Sequence, residues 1–406
     1  MQMSLILASL TMLQSWLLVQ SSTTQPSKDS SFIIGDKTVD HIWYKKESMP
    51  QHRSDMTATT VEDEIYLIGG CALDQEWVHD PPYSEYRCGG GKANAVTGST
   101  LRYFPKTNRF DTPLQDAPRA RYRHAAAVVG KKIYLFGGTG SSGSIVAEID
   151  VFDVGSGLWS TLSEKMPNPT TDLGAFAYAG KIYTVGGYDV SWKALNVTQV
   201  FDPSATNSES AWQIGPALLQ GRGDSYACVV GMQAYVVGGF HHENNFAAPI
   251  ATLEMLDLSS SGSLSWVSKP GMSVSRGDKA VASLNGLLHV VGGEAKNNQG
   301  HSVALRDVEV YDPVSNAWYF GGDIPSDRFR FTAASHGNSI FIFGGQGYLV
   351  GQHGADASHY PLMGVVEEYS ETIAASSVSK TVCGIKFITR LMFACWMLAA
   401  LPIVSI

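Results

Sequence analysis

Eleven charged residues of this chain fall on two fixed registers. Six Gly pairs begin at Gly69, Gly137, Gly186, Gly238, Gly292 and Gly344. Sixteen positions before each stand Arg53, Arg121, Thr170, Arg222, Arg276 and Arg328. Fourteen positions before each stand Asp55, Arg123, Asp172, Asp224, Asp278 and Arg330. Such a set can do two kinds of chemistry. Guanidinium forks that face an open funnel grip a carboxylate or another anion bidentately. Alternatively, Arg and Asp of neighbouring units pair, which satisfies partly buried charge and pins the units together. Two of the spokes spell Arg222-Gly223-Asp224 and Arg276-Gly277-Asp278, the tripeptide of adhesion ligands. An adhesion ligand needs an exposed loop tip, whereas strand-like residues 226–229 follow directly here. The repeat, not an adhesion loop, places these residues.

Other reactive side chains are scattered. His241, His242 and Glu243 follow the fourth Gly pair, but neighbours in an extended segment point to opposite sides. A metal there would need His353, Asp356 or His359 from another loop, and the set reads as solvated loop residues. Zinc-protease, nucleophile-elbow and phosphate-loop motifs are absent. Glu243, Glu294 and His124 are the groups an acid–base reaction near the centre could use. None sits in a specific motif, so no catalytic residue, metal or cofactor is expected.

The elements that must position these registers are strands. The Gly pairs close "EIYLIGG", "KIYLFGG", "KIYTVGG", "QAYVVGG", "LLHVVGG" and "SIFIFGG", at spacings of 68, 49, 52, 54 and 52. A run of small and apolar residues precedes each. A variable loop follows, then a strand such as "IDVFD", "TQVFD" or "VEVYD". A turn then leads to Phe110, Trp159, Trp212, Trp266 or Trp318. Four strands per unit and a period near fifty indicate propeller blades.

The Gly pairs and the spaced aromatics resemble the kelch-repeat family over residues 38–372. Repeat 1 departs by Phe110 and a longer loop, and repeat 4 by Leu256. The resemblance implies an all-β, six-bladed propeller with four-stranded antiparallel blades near 53–116, 121–165, 170–216, 222–270, 276–324 and 328–371. The last blade lacks a fourth strand. The segment 40–47, with Trp43, supplies it from the N-terminus and protects the sheet edge. In such blades both registers open the innermost strand beside the central channel. The loops 71–99, 139–146, 188–196, 240–251, 294–305 and 346–363 then ring one face, with Trp77, Tyr83, Tyr188, Trp192, Phe240, Tyr348 and Tyr360 as contact aromatics. Kelch propellers bind peptides or small molecules at this face. Sugar-acid mutarotases of this fold place Arg near the channel. Copper radical oxidases share the fold but have seven blades and a ligand set not legible here.

Bulk properties narrow the setting. The 406 residues are 44% hydrophobic and 16% charged, with net charge −8. That balance makes nucleic acid an unsuitable partner. Residues 1–22 read as a signal peptide. Small residues near 374–377, a linker over 373–390 and an apolar tail over 391–406 fit a lipid-anchor signal or a short transmembrane segment. In an oxidising compartment Cys71 and Cys88 can close one loop, and Cys228 reads as buried and unpaired. Asn196-Val197-Thr198 is the one N-glycosylation sequon. The expected protein is an extracellular, membrane-tethered module that presents its loop face to a protein or a polar or anionic ligand. A mutarotase-like or epimerase-like enzyme is the alternative, and a purely structural surface protein the second.

Overall fold

The computed structural model describes residues 30–375 apart from 36, 81, 82, 112, 207, 244, 245, 261, 298–301 and 349–360. The expected signal peptide, linker and tail, Cys383, Cys395, His353, Asp356, His359 and Tyr360 lie outside the described residues, the first positions of the linker excepted. No helix among the described residues is long and apolar enough to cross a membrane.

The chain is a six-bladed β-propeller. The innermost strands are Thr57–Val61, Ala125–Val129, Gly174–Tyr178, Tyr226–Val230, Ala280–Leu284 and Thr332–His336. Each contacts the next around a closed ring. Small residues let these six strands approach closely at the centre. Outside them lie the second strands, Glu64–Ile68, Lys132–Phe136, Lys181–Val185, Gln233–Val237, Leu287–Lys296 and Ser339–Phe343. These read as continuous apolar runs because both faces are covered, whereas the fourth strand Leu158–Lys165 alternates between half-buried and exposed.

The core is divided among the six gaps between blades. In one gap Tyr66 and Ile68 of blade 1 pack on Ile133, Leu135 and Phe152 of blade 2. Five comparable layers fill the other gaps. The fourth-strand tryptophans tie blade to blade. Trp159, Trp266 and Trp318 donate their indole N–H to the carbonyls of Gln115, Pro216 and Pro270, each in the loop leaving the preceding blade, at 2.9, 3.1 and 2.7 Å.

Blade 6 is closed by the N-terminus. Lys37–Lys45 pairs along its whole length with Val366–Ala375, and Trp43 packs 5.0 Å from the Tyr369 ring. Two boundaries move outward. The third strand of blade 6 runs to Ala375, past 372, and a fifth strand, Ser30–Ile34, pairs with Lys37–Lys45 and packs on blade 5. Its Phe32 enters the core, an anchor that a four-strand template does not anticipate. Three rim loops are also hairpins. Gln75–Asp80 pairs with Tyr83–Cys88, Phe240–Glu243 pairs with Phe246–Pro249, and Leu287–Lys296 continues beyond its Gly pair against Ser302–Asp312.

Candidate functional site

The Gly pairs explain the registers. Both glycines of a pair have positive φ. The second donates its N–H to the carbonyl of the residue sixteen before the next pair. Gly70 donates to Arg121, Gly187 to Arg222, Gly239 to Arg276 and Gly345 to Arg53, at 2.8 to 2.9 Å. At the first glycine a Cβ would come within 2.6 Å of that same carbonyl oxygen, as at Gly69 and Gly238. Each pair is therefore a socket for the following blade.

The five arginines of the first register do not line the channel as a ligand-facing rim. Arg53, Arg121, Arg222, Arg276 and Arg328 are 0–1% exposed. Each turns into its own blade and donates Nη1 to the first Gly carbonyl of its own pair, at 3.0 to 3.3 Å. A second bond from Nη1 reaches a carbonyl where the third strand begins, such as Thr252 at 3.1 Å. In four blades a third-strand acid completes the site. Arg121 meets Asp150, Arg222 meets Glu254, Arg276 meets Asp307 and Glu309, and Arg328 meets Glu367. Glu254 also accepts the N–H groups of Leu219 and Gln220, at 2.6 and 3.2 Å, so one buried carboxylate organises the loop between blades.

These acids are the functional partners that register counting misses. A signal for them exists in the chain. Blade 3 carries Thr170 in place of Arg, and its third strand carries Gln199 in place of the acid. Gln199 exchanges two hydrogen bonds with the Asn168 backbone, at 2.8 and 2.9 Å. Arg and acid are lost together. In blade 1 the acid position holds Leu101, and the hydrogen bonds of Arg53 among the described residues go to the carbonyls of Gly69 and Ser99. Burial lowers the Arg53 guanidinium to about 10.

The second register does reach the channel. Asp55, Arg123, Asp172, Asp224, Asp278 and Arg330 all adopt left-handed backbone, with φ of 47° to 56°. Asp tolerates that conformation better than most residues, which suits the four Asp positions. Backbone bonds link neighbouring spokes: Arg330 N–H to Asp278, Asp55 to Arg330, Arg123 to Asp55 and Asp172 to Arg123, at 2.8 to 2.9 Å. Arg123 lies between Asp55 and Asp172, its Nε 4.0 and 3.7 Å from their carboxylates. Arg330 bonds Asp278 at 3.2 Å. Neighbouring blades thus pair their charges around this ring.

One sector is uncompensated. Asp224 stands between Asp172 and Asp278, with no arginine spoke beside it. Burial and these two acids raise its carboxyl well above the usual range, and burial pushes Asp172 up to about 6. Tyr188 donates its hydroxyl to Asp224 at 2.9 Å, and buried Lys279 donates to the Asp224 carbonyl at 3.0 Å. Burial brings Lys279 down to about 7. The cavity bounded by Asp55, Arg123, His124, Asp172, Asp224, Ser225 and Tyr226 measures about 20 Å³, room for about one water molecule.

The middle residue of each tripeptide has its own reason. A Cβ at Gly223 would overlap the Tyr188 ring of the preceding blade, and one at Gly277 the Phe240 ring. "RGD" here is an Arg turned into the blade, a Gly under an aromatic and an Asp on the channel.

The remaining candidates are brought together only in part. His124 is buried, with Nε2 3.2 Å from Thr57 Oγ1, and burial lowers it to about 3. Glu294 is 7% exposed and bonded to Ser302 and Lys296 on its hairpin. His241 Nδ1 lies 2.7 Å from the Gly221 carbonyl. For His242, Glu243, Trp77, Tyr83 and Tyr348 only the backbone is described. Tyr188 and Phe240 are buried, and Trp192 stacks on Arg123 at 5.5 Å. Among the described residues no His, Cys, Asp and Glu cluster suits a metal. Cys71 and Cys88 are joined across the base of the first hairpin, and Cys228 is free.

Sockets, spokes and closure define a kelch-type propeller. The model of the KLHDC2/KLHL20/DRC7 Kelch-repeats domain matches residues 83–260 and 123–345, and this chain belongs to the kelch-repeat family. Kelch-like protein terF of Aspergillus terreus is 24% identical over 73% of this chain and 61% of its own length. Alpha-scruin of Limulus polyphemus is 25% identical over 60% of this chain and 25% of its own length. Kelch domain-containing protein 3 of Bos taurus is 24% identical over 60% of this chain and 69% of its own. The chain spans only a quarter to about three fifths of the first curated relatives it matches. The solved structure titled "Structure of YjhT" superposes with a TM-score of 0.62 at 14% identity, covering 79% of this chain and 95% of that one, and shares the fold.

Proposed function

We propose that this protein is an extracellular, membrane-tethered module that binds a protein partner on its loop face. One observation carries the reading. The loops after the Gly pairs are unequal, with paired strands over 75–80 and 83–88, 240–243 and 246–249, and 293–296 and 302–305, beside the shorter loops of blades 2 and 3. An uneven rim of this kind can meet a macromolecular surface. The cavity among the charged spokes beneath it measures about 20 Å³, which leaves little for a small substrate. That weighs against the mutarotase-like alternative. The strand Val366–Ala375 ends on the opposite face, so an anchor beyond it would point the rim away from the membrane.

The test uses the full chain on cells. A membrane-impermeant biotinylation reagent should label it on intact cells, and absence of labelling sinks the extracellular reading. Amine cross-linking and mass spectrometry should then place partner peptides on rim lysines 92, 193 and 296. Cross-links concentrated instead on Lys106 and Lys131, on the turn face, would overturn the binding face. An enhanced rate of sugar-anomer exchange by NMR would revive the enzyme reading.

A further inference from the structure

We infer that Asn196 carries an N-linked glycan whose role is to shield the outer edge of blade 3, an inference that rests on the proposed secretory route. The side chain is exposed where the rim loop meets the third strand. It is also held in place. Its Nδ2 donates to the Leu218 carbonyl at 3.2 Å, and its own carbonyl accepts the Leu218 N–H at 2.8 Å. The bond to Leu218 uses one of the two amide hydrogens. In glycan transfer Nδ2 forms a C–N bond to C1 of the first sugar, the C1–O bond to a lipid-linked diphosphate donor breaks, and one amide proton leaves. The second N–H remains, so a glycosylated Asn196 can keep its contact with Leu218.

The neighbourhood shows why a glycan would matter. Ile214 pairs with Gln199 on the outermost strand and is 70% exposed, and Leu219, beside Leu218, is 61% exposed. Among the six fourth strands only Trp212–Ile214 carries no charged residue. The others carry Arg109, Glu164 and Lys165, Lys269, Asp323, and Lys37 and Lys45 with Asp40. An uncharged edge with exposed aliphatics invites strand addition from a second molecule. The edge of blade 6, Ser30–Ile34, is also uncharged but packs on blade 5. At blade 3 the sequon stands where the other edges have charge.

The geometry also fixes the timing. The Thr198 hydroxyl that a sequon needs is fully buried and accepts the Trp266 indole N–H at 3.2 Å. Transfer must precede docking of blade 4 on blade 3.

The experiment expresses the full chain in secretory cells as wild type, Asn196→Gln and Thr198→Ser, which keeps the hydroxyl. Peptide N-glycosidase should lower the mass of wild type and Thr198→Ser but not of Asn196→Gln. Because Asn196→Gln can misfold, folded wild type is also deglycosylated natively. Both deglycosylated forms should shift from monomer to larger species in light scattering, and adding Ile214→Lys with Leu219→Lys should abolish that shift. A folded, secreted wild type with bare Asn196 overturns the site. A glycan whose removal leaves the protein monodisperse overturns the shielding. An intracellular chain with an uncleaved leader sinks the secretory route itself, and this inference with it.

Discussion

Arg222 and Asp224 lie two residues apart and do opposite jobs. Arg222 is a structural cation whose forks bind Gly238, Thr252 and Glu254 inside the blade. Removing it alone strands a buried carboxylate, and Arg222→Thr should cost about 3–5 kcal/mol in urea unfolding. Blade 3 shows an uncharged solution, Thr170 with Gln199, so adding Glu254→Gln should recover most of that loss. A double variant no better than the single one would reject the coupling. Asp224 instead faces two acids. Its folded pKa, like that of Asp172, is raised above its unfolded value, so its contribution is present at low pH and lost as pH rises through the folded pKa. Asp224→Asn keeps a residue tolerant of left-handed backbone and should raise the melting temperature at pH 7.5, with no gain at pH 4. His124 has the reverse sign. Its folded pKa of about 3 lies below its unfolded value, so the unfolded state takes the proton and stability falls below pH 6.5. The loss is about 2 kcal/mol between pH 7 and 5. His124→Gln should flatten that slope in paired urea titrations.

At the scale of the element, the recurring device is the Gly pair as socket. Gly238 has φ 58°, and a Cβ there would lie 2.6 Å from the Arg276 carbonyl oxygen. Gly238→Ala should cost about 2–4 kcal/mol by combined strain and overlap. Gly286 has φ 78° in a turn with nothing within 4 Å of a Cβ, and Gly286→Ala should cost only about 1 kcal/mol. Equal losses by calorimetry would show that backbone conformation, not the interblade contact, dominates. The pairs were legible from spacing because every blade needs the same close approach. The hairpins were not. Rim loops share no register, and pairing within one depends on its own turn, so 75–88 and 240–249 read as loops.

At the scale of the whole molecule, closure joins the ends. Lys37–Lys45 brings Val39 and Trp43 into the gap between blades 5 and 6, and Ser30–Ile34 adds Phe32. A chain lacking residues 1–45 leaves Val366–Ala375 with an open edge and should lose its single cooperative melting transition. A synthetic peptide of residues 30–45 should restore it in trans. Unchanged melting of the shortened chain would mean that five complete blades suffice.

The sequence by itself determined the blade count, the closure and both charged registers. Each repeats because six equivalent gaps impose the same packing and the same backbone contact six times. Only the tertiary structure decided which way the charges face. Two residues along an extended segment cover only about 7 Å, and the left-handed backbone of the second one redirects the side chains. The register at sixteen therefore turns inward to carboxylates that lie about thirty residues further on, and the register at fourteen turns to the channel. Contacts between positions so far apart in the chain leave no local periodicity. Their one trace is the joint change at Thr170 and Gln199, which acquires meaning once the two are seen to occupy the places of a buried ion pair.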